Sequence, residues 1–152
     1  MENLPKDIQR KLALELSPRD LVNFCLTDKS LKNAICDSKD FWRQKLMLDF
    51  PKVFNFYKKQ GLVLVNPKNT YIRRFKDIFE PIENFVSRYY HSKYNTKEDF
   101  FNKIFKIYNE SNMLNYHKTL ESYFPAKTLW NFKDALSNLL YILLEKDKIY
   151  DN

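Results

Sequence analysis

The scarcity of glycine is the feature that most restricts the fold of this chain, because Gly61 is its one glycine in 152 residues. Tight hairpins, parallel sheets and phosphate-binding loops depend on glycine for positive φ or for close approach of the backbone. The sequence therefore disfavours nucleotide-binding folds and tightly turned β folds, and it predicts an all-α protein. No apolar run approaches the roughly 20 residues that a membrane-spanning helix needs, so we expect no membrane association.

Residues 4–50 contain signals for four short helices joined by almost no linker. The first follows Pro5 and carries an apolar residue at every fourth position: Ile8, Leu12 and Leu16. Ser17 is placed to cap the second, with Pro18 in its first turn. A third is marked by Leu31, Ala34 and Ile35. Ser38 is placed to cap the fourth, whose apolar residues are Phe41, Trp42, Leu46 and Phe50.

The order of these residues resembles an F-box. The matching elements are Leu4-Pro5, Asp7-Ile8, Leu12, Leu16, Asp20-Leu21, and Phe41-Trp42 with Leu46. The family's Val-Cys…Trp segment corresponds here to Thr27-Asp28 and Leu31, so a tryptophan is missing. The F-box-like motif is of the kind seen in large DNA viruses, and a composition rich in Asn, Lys and Ile but poor in Ala is typical of AT-rich genomes.

The resemblance implies a non-enzymatic adaptor that contains an N-terminal F-box-like module, residues 1–50, packed on a helical region, residues 51–152. The module would dock on the Skp-family adaptor of a cullin ubiquitin ligase, while the C-terminal region would recruit a target protein. The implied contact or framework positions are Leu4, Pro5, Ile8, Leu12, Leu16, Leu21 and Trp42. Two interpretations of these residues stay open: they form an interface, or they form an ordinary helical core. In the second case the protein would be a structural protein of the virion type with a relict F-box. An exposed Leu4-Pro5-Ile8 surface favours the interface.

The remaining two thirds of the chain also read as helical. Pro51 begins a helix that Gly61 ends, and residues 62–65 are an apolar, strand-like connector expected to pack on the core. A helical stripe follows, interrupted near Glu80 by Pro81; its members are Tyr71, Phe75, Ile78, Ile82, Phe85 and Tyr89. The stretch 71–75 also resembles the Tyr-centred helix that often follows an F-box. Thr96 is placed to cap another helix, a further one is expected over 113–123, and the apolar segment 129–144 is expected to be central.

The net charge of +7 is concentrated in residues 52–94, which hold nine Lys and Arg against three Asp and Glu. An acidic partner is therefore expected at this segment. The alternative function is binding of nucleic acid or another polyanion, since cations interleaved with aromatic residues can hold phosphates and stack bases. The cations concerned are Lys58, Lys59, Lys68, Arg73, Arg74, Lys76, Arg88 and Lys93. An ordinary solvated helix face is the simpler interpretation.

Residues for catalysis or metal binding are few. Two cysteines, Cys25 and Cys36, and two histidines, His91 and His117, form no zinc-binding spacing. We therefore predict no enzyme, no metal and no cofactor, although a Cys–His pair stays open. The N-terminus has no secretory signal, so we expect reduced thiols and a cytoplasmic or nuclear protein, in the host cell if it is viral.

Overall fold

The computed structural model describes residues 4–27, 35–90, 96–112 and 115–151. Every element in these ranges is helical, with no strand, so the predicted all-α fold is confirmed. The helices are α1 Lys6–Glu15, α2 Pro18–Thr27, α3 Lys39–Asp49, α4 Pro51–Lys59, α5 Pro67–Arg74, α6 Glu80–Tyr89, α7 Lys97–Glu110, α8 Tyr116–Tyr123 and α9 Ala126–Asp151. Within the described ranges, no helix is long and apolar enough to cross a membrane.

The predicted helix starts are confirmed at Ser17, Ser38 and Thr96. In each case the side-chain hydroxyl oxygen accepts the main-chain N–H of the residue three positions later, at 3.1 to 3.2 Å. This contact satisfies one of the N–H groups that the first turn of a helix leaves without a partner. Of the predicted third helix, Leu31 and Ala34 lie outside the described residues, and Ile35 is buried.

The chain forms two compact units, Met1–Phe75 and Lys76–Asn152. In the first unit α3 is central, since α1, α4 and α5 all pack on it. Its buried side chains include Leu21, Phe41, Trp42, Leu46, Phe50, Val53 and Tyr71. The boundary lies after residue 75 rather than at the predicted residue 50, because α4 and α5 cover α3 and so belong to the same core.

The second unit is built from α6, α7, α8 and α9, and its core combines aliphatic side chains with a cluster of phenylalanine rings. The ring centroid of Phe132 lies 5.8 Å from that of Phe100 and 5.3 Å from that of Phe124. The backbone of α9 departs from helical geometry at Phe132, with φ of −139°. The apolar segment 129–144 does supply much of this core, as predicted, but Trp130 is 86% exposed.

The predicted stripe is buried along most of its length, although it does not lie on one helix. Tyr71, Phe75, Ile78, Ile82 and Phe85 are buried, and Tyr89 is half-buried. A π-helical turn, Phe75–Phe79, separates α5 from α6. Pro81 lies in the first turn of α6, where it has no N–H to donate to the carbonyl four residues earlier. The predicted interruption near Glu80 is therefore confirmed.

Cys25 and Cys36 form a disulfide, and their Cα atoms lie 5.6 Å apart. The prediction of two reduced thiols is therefore wrong. It depended on the expected compartment, whereas bonding depends on distance, and this Cα separation is ordinary for a disulfide. Neither sulfur is left as a free nucleophile, so the structure also removes the Cys–His pair.

Gly61 ends α4 in the left-handed region, with φ of +64°. Its N–H donates to the Lys58 carbonyl at 3.2 Å, and the N–H of Leu62 donates to the Tyr57 carbonyl at 2.9 Å. These two bonds form the Schellman motif, which favours glycine because it lacks a Cβ. The predicted end of this helix at Gly61 is confirmed.

Gly61→Ala is expected to lower the free energy of unfolding by about 1–2 kcal/mol, the cost of an L-residue at this φ. An added Cβ meets no described heavy atom within 4 Å, so the cost is conformational rather than steric. Urea denaturation measures this loss of unfolding free energy, with Gln60→Ala as a neighbouring control at negative φ. Equal stability of the two variants would contradict the prediction.

Candidate protein-interaction face

Several apolar side chains in and just before α1 are exposed to solvent. Leu4, Ile8 and Leu12 keep 39, 45 and 40% of their surface exposed, and Pro5 is also exposed. Positions four residues apart lie on the same side of a helix. Ile8 and Leu12 therefore lie on one side of α1, and Leu4 and Pro5 directly precede the helix; these four exposed residues form the apolar stripe called here the α1 face.

The opposite side of α1, which faces the core, is partly polar. Ala13 is fully buried, and Gln9 is 5% exposed. The Gln9 Nε2 group donates to the Leu4 carbonyl at 2.9 Å, which closes the start of the helix. Arg10 donates through Nη2 to Gln44 Oε1 of α3 at 3.1 Å. Burial of Ala13 and the hydrogen bond to Gln44 therefore hold this side of α1 on α3.

A buried lysine holds the other end of α1. Lys45, on α3, is only 2% exposed, and its Nζ donates to the carbonyls of Leu14, at 2.8 Å, and Leu16. These carbonyls end α1 and have no intrahelical partner, so the cation satisfies them and favours the negative end of the helix dipole. The same ammonium forms an ion pair with Asp49 at 3.1 Å.

Asp49 links this lysine to α5. Its Oδ2 accepts a hydrogen bond from the Tyr71 hydroxyl at 2.5 Å. Burial raises the pKa of the Asp49 carboxyl, and the charge of Lys45 and the hydrogen bond from Tyr71 offset part of that rise. Burial, together with the Asp49 charge, also raises the pKa of Tyr71. The Lys45–Asp49–Tyr71 network thus joins the end of α1 to α3 and α5.

Three of the predicted adaptor-binding residues lie at least partly inside the unit. Leu16 is half-buried, Leu21 is fully buried, and Trp42 is 1% exposed. The Trp42 Nε1 group donates to the Cys36 carbonyl at 2.7 Å, and its ring centroid lies 5.2 Å from that of Tyr71. Leu21 and Trp42 are therefore framework residues and not surface contacts. Of the predicted departure, Asp28 and Leu31 lie outside the described residues, as does the side chain of Thr27.

The stretch 71–75, which resembles the helix that often follows an F-box, packs on this framework. The ring centroid of Tyr71 lies 5.1 Å from that of Phe50, in addition to its contact with Trp42. Tyr71 is fully buried, so α5 is held to α3 by aromatic contacts and by the hydroxyl bond to Asp49. The tyrosine therefore belongs to the support of the α1 face.

The predicted polyanion-binding cations are divided between the two units. Lys58, Lys59 and Arg73 are exposed in the first, and Lys76 and Arg88 are exposed in the second. Lys68 is half-buried, with its ammonium 3.9 Å from Asp37. Arg74 is only 1% exposed, so its assignment to a binding surface is wrong. Its guanidinium lies on the buried side of α5 with Tyr71. Lys93 lies outside the described residues.

The described residues contain no group of three His, Cys, Asp or Glu side chains that could hold a metal ion. His117 is exposed and stacks on the neighbouring Tyr116, with ring centroids 4.2 Å apart, while His91 lies outside the described residues.

Comparison with known proteins adds no relative. No protein-family model matches the chain, and neither a curated protein nor a solved structure is significantly similar to it. The interpretation of the α1 face thus depends on the geometry of this chain and on the resemblance of residues 4–50 to the F-box.

Proposed function

We propose that the protein is a non-enzymatic interaction adaptor whose α1 face docks on a Skp-family adaptor of a cullin ubiquitin ligase. The observation that supports this proposal is the exposure of Leu4, Pro5, Ile8 and Leu12 on a helix whose core-facing side is partly polar. An exposed apolar stripe is the mark of a docking site, whereas a covered one would favour a relict scaffold.

The apolar stripe can supply a useful part of a binding energy. Fully burying a large aliphatic side chain contributes about 1.5–3 kcal/mol, and Leu4, Ile8 and Leu12 each retain about 40% of their surface. The three together would therefore contribute about 3 kcal/mol, or roughly a hundredfold in affinity. In this mechanism the protein supplies binding geometry, and the bound ligase components supply the ubiquitin-transfer chemistry.

Replacing Leu4 and Pro5 together with alanine is expected to weaken binding to a purified Skp-family adaptor at least about tenfold. The helix content and the melting temperature should stay nearly unchanged, because both side chains are exposed and the main-chain bonds of Leu4 and Pro5 remain possible. Isothermal titration of the full chain with the adaptor, beside circular dichroism, measures both quantities.

Trp130→Ala is the matched control, because Trp130 is the most exposed large apolar side chain described and belongs to the second unit. It should leave adaptor binding unchanged. Two outcomes would count against the proposal: unfolding of the Leu4/Pro5 variant, which would make those residues core, or no binding of the unaltered chain at micromolar concentration.

A further inference from the structure

A second apolar surface lies on the connector between α4 and α5, residues 62–65. Val63 and Val65 are 76% and 75% exposed and Leu62 is also exposed, whereas Leu64 is buried. The alternation of outward and inward side chains over 63–65 matches the side-chain pattern of a strand, and the chain bends at Val65. The strand-like connector was expected to pack on the core, but only Leu64 packs there.

The main chain of this connector is available for hydrogen bonding. Within the described part of the chain, the N–H and C=O groups of Val63, Leu64 and Val65 make no hydrogen bond. Both ends are nevertheless fixed, by the Schellman turn at Gly61 and by Asn66, whose side-chain oxygen accepts the N–H of Asn69 at 3.2 Å. A segment that is held at both ends and has unused main-chain groups can accept an added strand.

Two open grooves lie along the connector, one at residues 62–64 and one from Val65 onward, and cations line each of them. One, of about 260 Å³, is bounded by Leu62–Leu64, Arg43 and Lys58. The other, of about 370 Å³, is bounded by Val65, Lys39, Trp42, Lys68 and further residues that include the acidic Asp37. Side chains of a segment bound along the connector would thus meet apolar walls with basic rims.

The charge of the first unit favours an acidic occupant. Met1–Phe75 holds 15 Lys and Arg against 8 Asp and Glu, whereas Lys76–Asn152 holds 11 of each. The whole net charge of +7 therefore belongs to the unit that carries the connector. Lys39, Lys58 and Lys59 form no ion pair with any described carboxylate, although Asp37 and Asp40 are paired with Lys68 and Arg43.

We propose that the connector binds an extended, acidic segment of a partner protein that carries aliphatic side chains, by addition of a strand along residues 62–65. Nucleic acid fits less well, because stacking of bases requires exposed aromatic rings. The exposed side chains here are aliphatic, and the nearby Phe54 and Tyr57 are half-buried. The identification of this partner as the target of the adaptor depends on the proposed function, but the site itself does not.

The test uses the full chain and a fluorescent peptide in which valine and glutamate alternate over about ten residues, long enough for a strand. We expect saturable binding by anisotropy that weakens as salt rises, and no binding of the matched valine–lysine peptide. Backbone amides at 63–65 should exchange hydrogen more slowly when the valine–glutamate peptide is present, since strand addition pairs them.

Lys58→Gln with Lys59→Gln should reduce affinity for the acidic peptide at least about fivefold through lost charge attraction. The matched control is Lys118→Gln with Lys127→Gln, which removes the same charge from exposed positions of the second unit; its affinity should stay within about twofold, since neither lysine lines the grooves of the connector. Ile8→Asp should leave peptide binding unchanged. The peptide experiment contains no ligase adaptor. A negative result in it would therefore not test the adaptor binding proposed for the α1 face, and the two proposals can fail separately.

Four outcomes would overturn the proposal. One is no anisotropy change with peptide at up to about 1 mM, the weak limit of specific binding. Another is equal binding of the valine–lysine peptide. A third is tighter binding of an oligothymidine that is lost in the Lys58/Lys59 variant, which would assign the surface to nucleic acid. The fourth is protection of amides 63–65 without peptide in a concentration-dependent dimer, which would make a second copy the occupant.

Discussion

Lys45→Met is expected to lower the free energy of unfolding by about 3–5 kcal/mol, although the substitution removes a buried charge. The ammonium of Lys45 is the donor for the carbonyls of Leu14 and Leu16 and the counter-ion of Asp49. Methionine fills similar space but leaves all three acceptors without this donor, and a buried polar group without a partner costs more than the bond is worth.

The pH dependence of this loss identifies its cause. Because burial raises the pKa of Asp49 above its usual value of 3.8, the folded protein holds that proton more tightly than the unfolded chain does. Protonation of this carboxyl therefore stabilises the folded state. That stabilisation is fully present below about pH 4 and is lost as the pH rises through the folded-state pKa. Without Lys45 the ionised carboxylate is less stable still, so the cost of Lys45→Met should shrink toward pH 4.

Urea denaturation at several pH values, with Lys11→Met as the exposed-lysine control, measures the loss. The double variant Lys45→Met with Asp49→Asn should recover part of the stability, because the unpaired carboxylate is gone. A cost of Lys45→Met below about 1 kcal/mol, the range of exposed ion pairs, would contradict the network. So would a cost that does not change between neutral and acid pH.

Local signals in the sequence predicted the helices well, because each depends on a few neighbouring residues. Ser17, Ser38 and Thr96 cap the predicted helices, and Gly61 ends α4. The glycine count was enough to predict the all-α class, since few β or nucleotide-binding folds can be built with one glycine. The caps and the turn at Gly61 are interactions between residues within five positions of one another.

Tertiary placement could not be predicted in the same way. An apolar stripe such as that of α1 fits burial as well as docking, and only the position of α3 decides between them. The burial of Lys45 could have been predicted from the sequence, because Lys45 shares a helix face with Phe41, Trp42 and Leu46. Its spacing of four residues from Asp49 also indicates the ion pair. The disulfide and the boundary after residue 75 depend on contacts between separate helices, which no local pattern reports.

Trp42→Ala is expected to destabilise the protein by about 3–5 kcal/mol, the usual cost of removing a buried aromatic side chain. Trp42 is 1% exposed, and its ring centroid lies 5.5 Å from that of Phe41. Alanine leaves a cavity between α3 and α5 and removes the N–H that the Cys36 carbonyl accepts. Since domains of this size are stable by about 5–15 kcal/mol, much of the stability would be lost.

Trp42→Phe separates packing from hydrogen bonding, because it keeps a ring and removes the N–H. Its cost should be nearer 1–3 kcal/mol, that of a buried acceptor left without its donor. The chain has two tryptophans, and Trp130 is 86% exposed. Fluorescence of the phenylalanine variant should therefore lose its blue-shifted component and resemble tryptophan in water, so a remaining blue-shifted emission would place Trp130 in a buried setting.

The same variant distinguishes a framework residue from a contact. If Trp42 acts by supporting α3 under the α1 face, adaptor affinity in Trp42→Phe should fall only in proportion to the unfolded fraction. At a temperature where the variant is fully folded, its affinity should equal that of the unaltered chain. A fully folded Trp42→Phe protein with affinity reduced about tenfold or more, as at an interface hot spot, would instead make Trp42 a direct contact. The adaptor would then have to bind a rearranged first unit, because this side chain is covered in the structure.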